Sequence, residues 1–343
     1  MKKQQGEINL TDLAPKVSPL RQKVLGLLSK KSKSRQRVSL VDVANLAECS
    51  PKQAQYEIEA LNSDGYNIEF DAGRGIELSQ TIPKKDSLVI KTDDYFGDDW
   101  VRFGFIADTH LVSKYSRLDV LNAIYDVYER EGISTVYHGG NWIDGECRFN
   151  KYDLHCVGFD SQLNYFLKNY PKRKNITTNI VSGDDHEGWY VQREKINVGQ
   201  VMQDRAEKIG RNDLIDLGYM ERDIEFKRGN GKSTVRIIHA GGGSAYAISY
   251  TSQKYVEMLQ GGEKPSMVLV GHFHKFDWAY PREVHVVQGG TTCDQTPFMR
   301  KKRLQAMVGA CIIEAKQDRR GIFNRVRVEW MPFYDKSFYK YQW

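Results

Sequence analysis

The chain has 343 residues, 40% of them hydrophobic and 27% charged, with a formal net charge of +6. That length points to two domains with room for a full hydrophobic core, and the balance is that of a soluble globular protein rather than a disordered one. No apolar run approaches the ~18 residues that cross a bilayer, and the opening MKKQQGEINL lacks the apolar stretch of a secretory signal. The charge is unevenly placed. Residues 1–40 carry ten Lys/Arg against Glu7 and Asp12, so +8 sits there and −2 is left for the rest. Residues 1–17 read as a flexible basic arm. Such an arm serves either as a phosphate-backbone footprint or as a solvated, solubilising tail.

Next comes a compact helical pattern. Leu20, Val24, Leu27 and Leu28 form a helical stripe, and the basic stretch KKSKSRQR follows. A short helix is predicted around Leu40–Ala47, a turn at 48–50, and a second helix from Pro51. Ser50 suits the N-cap and Pro51 the first helical position. On that helix Ala54, Ile58 and Leu61 share one face, while Lys52, Gln53, Gln55 and Tyr56 lie mostly elsewhere. YNIEFD and GIELS then alternate as strands, joined by AGRG. Residues 18–80 therefore resemble a winged helix-turn-helix domain. The resemblance implies DNA as a partner, with Lys52, Gln53, Gln55 and Tyr56 facing a groove and Arg74 of the wing on the backbone. Glu57 and Glu59 make the candidate recognition helix less basic than that role expects, and protein binding is the other use of such domains.

Residues 81–99 read as a linker. Beyond it, strands and helices alternate. VRFGFIAD is a buried strand, and a helix capped by Ser116 carries Leu118, Leu121, Ile124 and Tyr128. STVYHGG, TTNIVSG, TVRIIHAG and SMVLVGHF are further apolar strands. Each of the five runs into residues that can hold a metal: Asp108 and His110; Asn141, with Asp144 beyond; Asp185 and His186; His239; His272 and His274. Sites collect at the carboxyl ends of strands in open α/β sheets. One DxH is weak, whereas five ordered segments are strong. His138, His155 and His285 lack this context and are left out. RGNGKST resembles part of a phosphate-binding loop, but the required glycine is Phe226, so the segment reads as a hairpin.

The segments DTH, GNWID, GDDHE, HAG and GHFH resemble, in order, the motifs of the calcineurin-like metallophosphoesterase superfamily: DxH, GDxxD, GNH with an acid, a lone His, and GHxH. The resemblance spans residues 100–290, and the metallophosphoesterase domain is expected over 100–343. It implies an α/β four-layer sandwich of two mixed β-sheets flanked by helices, with the last strands, MVGACIIEAKQ and FNRVRVEWMPF, completing the second sheet. It also implies two divalent ions, Mn2+ first, with Fe, Zn, Co, Ni or Mg as alternatives. Asp108, His110 and His274 would serve one ion. Asp185, His239 and His272 would serve the other, with Asn141 at the bridging position. His186 would be the general acid and Asp144 its orienting partner. Such a site lowers the pKa of a bridging water and neutralises charge as a phosphate ester is cleaved.

The sequence departs from the pattern twice. The bridging aspartate is Asn141, and the asparagine of GNH is Asp185. Amide and carboxylate have traded places, which reads as a compensated swap; the competing reading is an inactivating change. Arg300, Lys301 and Lys302 could line a polyphosphate track or be a solvated helix start. Trp189 and Tyr190 offer either base stacking or loop packing. Five cysteines, none in a CxxC pair, argue for a reduced cytoplasmic setting and against a cysteine metal site. A DNA-directed phosphodiesterase is the leading expectation. A phosphomonoesterase or small-molecule phosphodiesterase, and a DNA-binding protein with a degenerate site, are the alternatives. A homo-oligomer or a protein partner would be compatible with any of them.

Overall fold

The computed structural model describes residues 18–71, 74–79, 81–92, 99–243 and 245–333. The basic arm of residues 1–17 and the aromatic tail beyond Phe333 lie outside that range.

Three helices, α1 (Pro19–Lys33), α2 (Leu40–Ala47) and α3 (Pro51–Ser63), precede an antiparallel hairpin of β1 (Ile68–Asp71) and β2 (Gly75–Leu78). The ends of α2 and α3 fall where local chemistry sets them. Ser39 caps α2, and Glu48 closes it in the left-handed conformation. Ser50 and Gln53 form a reciprocal capping box at α3, which satisfies backbone N–H groups that have no partner inside the helix. Val24, Leu28, Val43, Ala54, Ile58 and Leu61 pack with Ile68, Ile76 and Leu78 into a small core. An isolated antiparallel bridge ties Val38 to Ile76 at the edge of the hairpin.

Glu57 turns into this core's edge instead of lying on an outer face. Only 8% of it is exposed. It accepts hydrogen bonds from Arg21 Nε at 2.7 Å and Ser18 Oγ at 3.1 Å, and Arg21 also reaches Asp64 at 2.9 Å. Arg21→Ala leaves the Glu57 carboxylate largely desolvated without its cation. It is expected to lower the stability of this unit by about 2–3 kcal/mol in a urea melt, with Arg21→Lys restoring part of the loss.

The second body begins earlier than the sequence suggested. Leu88–Lys91, inside the stretch read as linker, forms β3, which pairs parallel to β8 at a sheet edge. Its four residues are too few to show periodicity against the surrounding polar sequence. The chain continues through β4 (Trp100–Ile106), α4 (Leu118–Arg130), β5 (Thr135–His138), α5 (Phe159–Asn169), β6 (Thr177–Ser182), α6 (Gly188–Glu194), α7 (Val198–Lys208), β7 (Leu214–Tyr219), β8 (Glu221–Arg228) and β9 (Gly231–His239). It ends with α8 (Tyr250–Met258), β10 (Met267–Gly271), β11 (Phe276–Ala279), β12 (His285–Gly289), α9 (Pro297–Lys302), β13 (Gly309–Gln317) and β14 (Phe323–Pro332). Gly229 and Asn230 turn β8 into antiparallel β9, so RGNGKST is a hairpin. Ser116 does not cap α4. Its hydroxyl donates to the Thr109 carbonyl at 2.9 Å, and Arg117 occupies the cap position without a side-chain bond to the helix's free N–H groups.

Two mixed six-stranded sheets result, ordered β14-β13-β4-β5-β6-β7 and β11-β12-β10-β9-β8-β3. The last strands therefore join the first sheet, beside β4, and not the second. β13 is apolar toward both faces and fits either sheet by pattern, so its sequence could not decide its neighbour. Between the sheets pack Phe103, Phe105, Tyr137 and Val181 against Phe226, Val235, Ile237 and Leu269. Outside the first sheet, α4, α5 and α7 cover a core containing Leu121, Tyr128, Leu163, Phe166 and Met202. Outside the second, Val256 of α8 covers Ile238, Val268 and Val270. The layers are helix, sheet, sheet, helix. No described helix is long and apolar enough to cross a membrane.

Candidate metal centre

The parallel strands bring their carboxyl ends to one edge, where the two sheets meet. Asp108 and His110 follow β4, Asn141 and Asp144 follow β5, and Asp185 and His186 follow β6. His239 closes β9, while His272 and His274 follow β10. Five of these residues have left-handed backbones: Asp108 (φ 52°), His110 (44°), Asn141 (55°), His272 (90°) and His274 (56°). Each costs roughly 1–2 kcal/mol for a non-glycine residue. Strain of this kind is held where a fixed side-chain direction matters more than local ease.

The donors converge in two groups. In the first, His110 Nε2 lies 3.0 Å from His274 Nε2, with Asp108 Oδ1 at 3.9 Å and 3.6 Å from those same nitrogens. In the second, Asp185 places Oδ1 3.1 Å from His239 Nε2 and Oδ2 3.1 Å from His272 Nδ1. Asn141 lies beside them and donates from Nδ2 to Asp108 Oδ1 at 3.3 Å. Its own Oδ1 is buried and has no partner among the described residues.

The outer hydrogen bonds fix which ring nitrogens face inward. His239 Nδ1–H donates to the Gly139 carbonyl at 2.7 Å, and His272 Nε2–H donates to the Gly242 carbonyl at 2.7 Å. Their other nitrogens therefore face the Asp185 carboxylate, where a cation can take the place of a proton between ring and carboxylate. His110 is held the same way, with Nδ1 bonded to Asp144 Oδ1 at 2.9 Å, which turns its Nε2 toward that of His274. Burial, with the neighbouring His110, His186 and His272 rings, pushes His274 well below the ordinary histidine range, so its ring stays neutral and can ligate. The paired imidazoles, carboxylates and unpartnered amide oxygen are a donor set that fits divalent metal ions.

Asp144 serves two rings. Besides His110 it holds His186, whose Nδ1 is 3.1 Å from Asp144 Oδ1 and 2.8 Å from the Asp144 carbonyl. Burial opposes charge on both, yet the His110 and His186 bonds hold the Asp144 carboxyl far below its usual range. Likewise Asp144 and Asp185 hold His186 well above its own. His186 is thus kept protonated at the side of the cleft. Burial raises Asp108, against the pull of His239, His110 and His272. His239, opposed by burial but bonded to Asp185, rises to about 9.

By sequence Glu187 is either a support behind the site or an ordinary loop acid, and Thr291 carries no motif. Glu187 is fully buried, and its Oε1 accepts from Asn141 N at 2.9 Å and Gly183 N at 2.6 Å, tying two ligand loops together. Burial lifts its carboxyl to about 7. Thr291 Oγ1 donates to the Asp108 carbonyl at 2.6 Å. It follows the carboxyl end of β12, so the strand-end rule that found the ligands could have found it.

Glycines make the approach possible. A Cβ on Gly140 (φ +95°) would sit 2.3 Å from His239 Nδ1, and one on Gly183 would sit 2.7 Å from Asn141 Oδ1. Gly140→Ala therefore forces both a disfavoured backbone and a clash. It is expected to cost about 2–3 kcal/mol of stability and to weaken Mn2+ binding at least about tenfold, measured by thermal melts with and without the ion.

The cleft over these residues has a volume of about 330 Å³. Phe149, Phe273, Phe298 and Met299 add apolar surface to the cleft that His110, Asp185 and His186 also line. The tentative substrate residues Arg300, Lys301 and Lys302 are exposed and do not line it; from α9, Phe298 and Met299 do. Trp189 and Tyr190 also stay out of the cleft. Tyr190 is fully buried, and Arg193 lies over the Trp189 ring at 4.3 Å, so the packing alternative holds for both. His138 is buried between Thr109 and the Gly140 N–H, outside the donor groups. Lys52, Gln53, Gln55, Tyr56 and Arg74 are all exposed on the amino-terminal unit. Gln53 is nonetheless engaged in its capping box and Gln55 bonds Glu59 at 2.9 Å. All five cysteines are free.

No protein-family profile and no curated protein matches the chain. Among solved structures it is similar to an archaeal phosphodiesterase, at 13% identity over 67% of this chain and all of that one, with a TM-score of 0.36. It is also similar to the protein Vps29 of Entamoeba histolytica complexed with zinc, at 12% identity, 68% and 99% coverage, and a TM-score of 0.33. A third is a 5′-nucleotidase precursor of Thermus thermophilus, at 12% identity, 68% and 54% coverage, and a TM-score of 0.35. At such identities and scores the functional reading has to come from the site itself.

Proposed function

We propose that the chain is a two-metal-dependent phosphoesterase of the calcineurin-like kind, acting as a phosphodiesterase on DNA. The observation that carries the reading is the pair of donor groups, Asp108–His110–His274 and Asp185–His239–His272, joined by an unpartnered amide oxygen of Asn141. Two divalent ions held there, Mn2+ by our expectation, supply positive charge to the phosphate and lower the pKa of water. The chain's own part is positional and protonic. His110 and His274 hold one side of the scissile phosphate's seat, and His239 and His272 the other. His186, kept charged by Asp144, gives its proton to the departing oxygen. Glu187 and Thr291 hold the ligand loops at fixed spacing.

DNA is supported by the amino-terminal unit. Its three helices, capped turn, hairpin and Val38 bridge follow the order of a winged helix, and Tyr56 is 65% exposed on α3. Lys52 and Arg74 are free to reach phosphates. The test is a metal-by-substrate screen of bis-p-nitrophenyl phosphate, p-nitrophenyl phosphate and a labelled duplex. Mn2+-dependent cleavage of the diester and the duplex is expected. Cleavage of the monoester alone would overturn the diesterase reading. Lys52→Ala with Arg74→Ala should reduce the salt dependence of duplex binding by a slope of roughly 2.

A further inference from the structure

We infer that the mouth of the metal cleft is a binding rim for a single-stranded nucleic acid, distinct from the winged unit. The inference rests on the phosphodiesterase reading for its location, but not for its residues. The segment after Asn141 and the helix α9 are far apart in sequence, and Phe149 stacks on Phe298 at 4.3 Å between ring centres. Both rings line the cleft beside His186, with Phe149 5.8 Å from that ring. The stack joins two cleft-lining segments that each carry a basic cluster just outside the cleft: Arg148 and Lys151 flank Phe149 and Asn150, and Arg300, Lys301, Lys302 and Arg303 follow Phe298 and Met299. All six are exposed, and none forms an ion pair with a described residue.

Six uncompensated cations on the two segments that this stack joins stand out in a chain whose charge beyond residue 40 is slightly negative. Acids of the same segments are committed elsewhere. Glu146 accepts from the Tyr190 hydroxyl at 3.1 Å, and Asp294 bonds Arg117 at 3.1 Å; Asp153 lines the cleft, half-buried. Aromatics are interleaved with the charges. Phe149 is 46% and Tyr152 83% exposed. The Tyr152 segment is pinned in place, because Lys114 Nζ donates to the Tyr152 carbonyl at 2.9 Å and Lys114 N to the Asp153 carbonyl at 2.8 Å.

Charges that follow a backbone, combined with open aromatic faces, are the signature of single-strand binding, since duplex bases are already stacked on one another. The cleft's volume of about 330 Å³ lies at the lower end for ligand pockets and cannot take a duplex. The rim thus holds phosphates on either side of the scissile one, Tyr152 stacks a base outside, and the apolar surface of Phe149, Phe298 and Met299 receives the base next to it.

The test is fluorescence anisotropy of a labelled single-stranded 12-mer in EDTA, across a salt series. One variant combines Arg148→Ala, Lys151→Ala, Arg300→Ala and Lys302→Ala. A control variant combines Lys174→Ala and Lys208→Ala, at the amino-terminal edge of β6 and β7. The rim variant is expected to bind at least about tenfold more weakly at 0.1 M salt, with a salt slope smaller by roughly 2–3. The control should match the native chain. Tyr152→Ala should lose about fivefold in affinity with its slope unchanged. The thermal melt of the rim variant, and its shift on adding Mn2+, should stay native, which shows that it folds and that the metal centre is intact. Native affinity and slope in the rim variant would overturn the inference. So would a loss confined to duplex, or inorganic polyphosphate binding as tightly as the 12-mer. Should the native chain fail to hydrolyse the small diester with Mn2+, the phosphodiesterase reading falls, while the rim is judged by the anisotropy alone.

Discussion

Replacing His186 with glutamine is expected to lower kcat for a phosphodiester with a poor leaving group by about 10²- to 10⁴-fold, with KM and metal stoichiometry unchanged. The reason is positional. Asp144 holds His186 by both its carboxylate and its carbonyl, so the opposite ring nitrogen is aimed away from the backbone, on the wall of the cleft. Asp144 and Asp185 keep the ring charged despite its burial. Glutamine preserves a polar side chain and loses the acid. A p-nitrophenolate leaves without protonation, so the loss with bis-p-nitrophenyl phosphate should be much smaller. Steady-state kinetics on the two substrates decide the matter, and equal losses on both would remove His186 from the role of acid. Asp144→Asn should cost more than His186→Gln, because it also releases His110.

The second large effect concerns the exchanged amide and carboxylate. Asp185 is the anion between His239 and His272, so Asp185→Asn leaves two inward ring nitrogens with a neutral partner. Mn2+ affinity at that group should fall at least about 100-fold, and turnover about a thousandfold. Asn141→Asp has the opposite sign of charge. Its new carboxylate would sit where the amide now contacts Asp108 at 3.3 Å, so two buried carboxylates meet. In EDTA that variant should be less stable by about 2–4 kcal/mol, and Mn2+ should restore the loss. Carrying both changes returns the net charge to its native value and should recover turnover to within about tenfold of the native chain. Kinetics of the single and double variants measure this coupling. If Asp185→Asn alone keeps native turnover, or the double variant is no better than either single one, the exchange is not compensatory.

Much of this site was legible in the sequence because strand ends are legible. Each candidate ligand follows a run of apolar residues that can only be a buried strand, and the backbone turns sharply where it stops. The residues that support the ligands were harder to read. Glu187 resembles any loop acid until its Oε1 is seen between Asn141 N and Gly183 N. Asp144 was expected to orient His186, but its second partner, His110, depends on how the β4 and β5 loops cross, which spacing does not record. The same limit applies to β13. A strand buried on both faces says that it lies inside a sheet, but not which one. Glu57 shows the converse case. By helix position it was counted against a basic surface, yet Arg21, from a separate helix, takes it inward.

We propose that this chain holds two cooperating ions despite an asparagine at the bridging position. Calorimetric titration of Mn2+ into the native chain, with turnover of bis-p-nitrophenyl phosphate followed at each ratio, tests it most directly. The proposed function predicts two ions per chain, with turnover rising as the second site fills. A native chain that binds at most one ion and stays inactive, while the Asn141→Asp variant binds two and turns over, would contradict it.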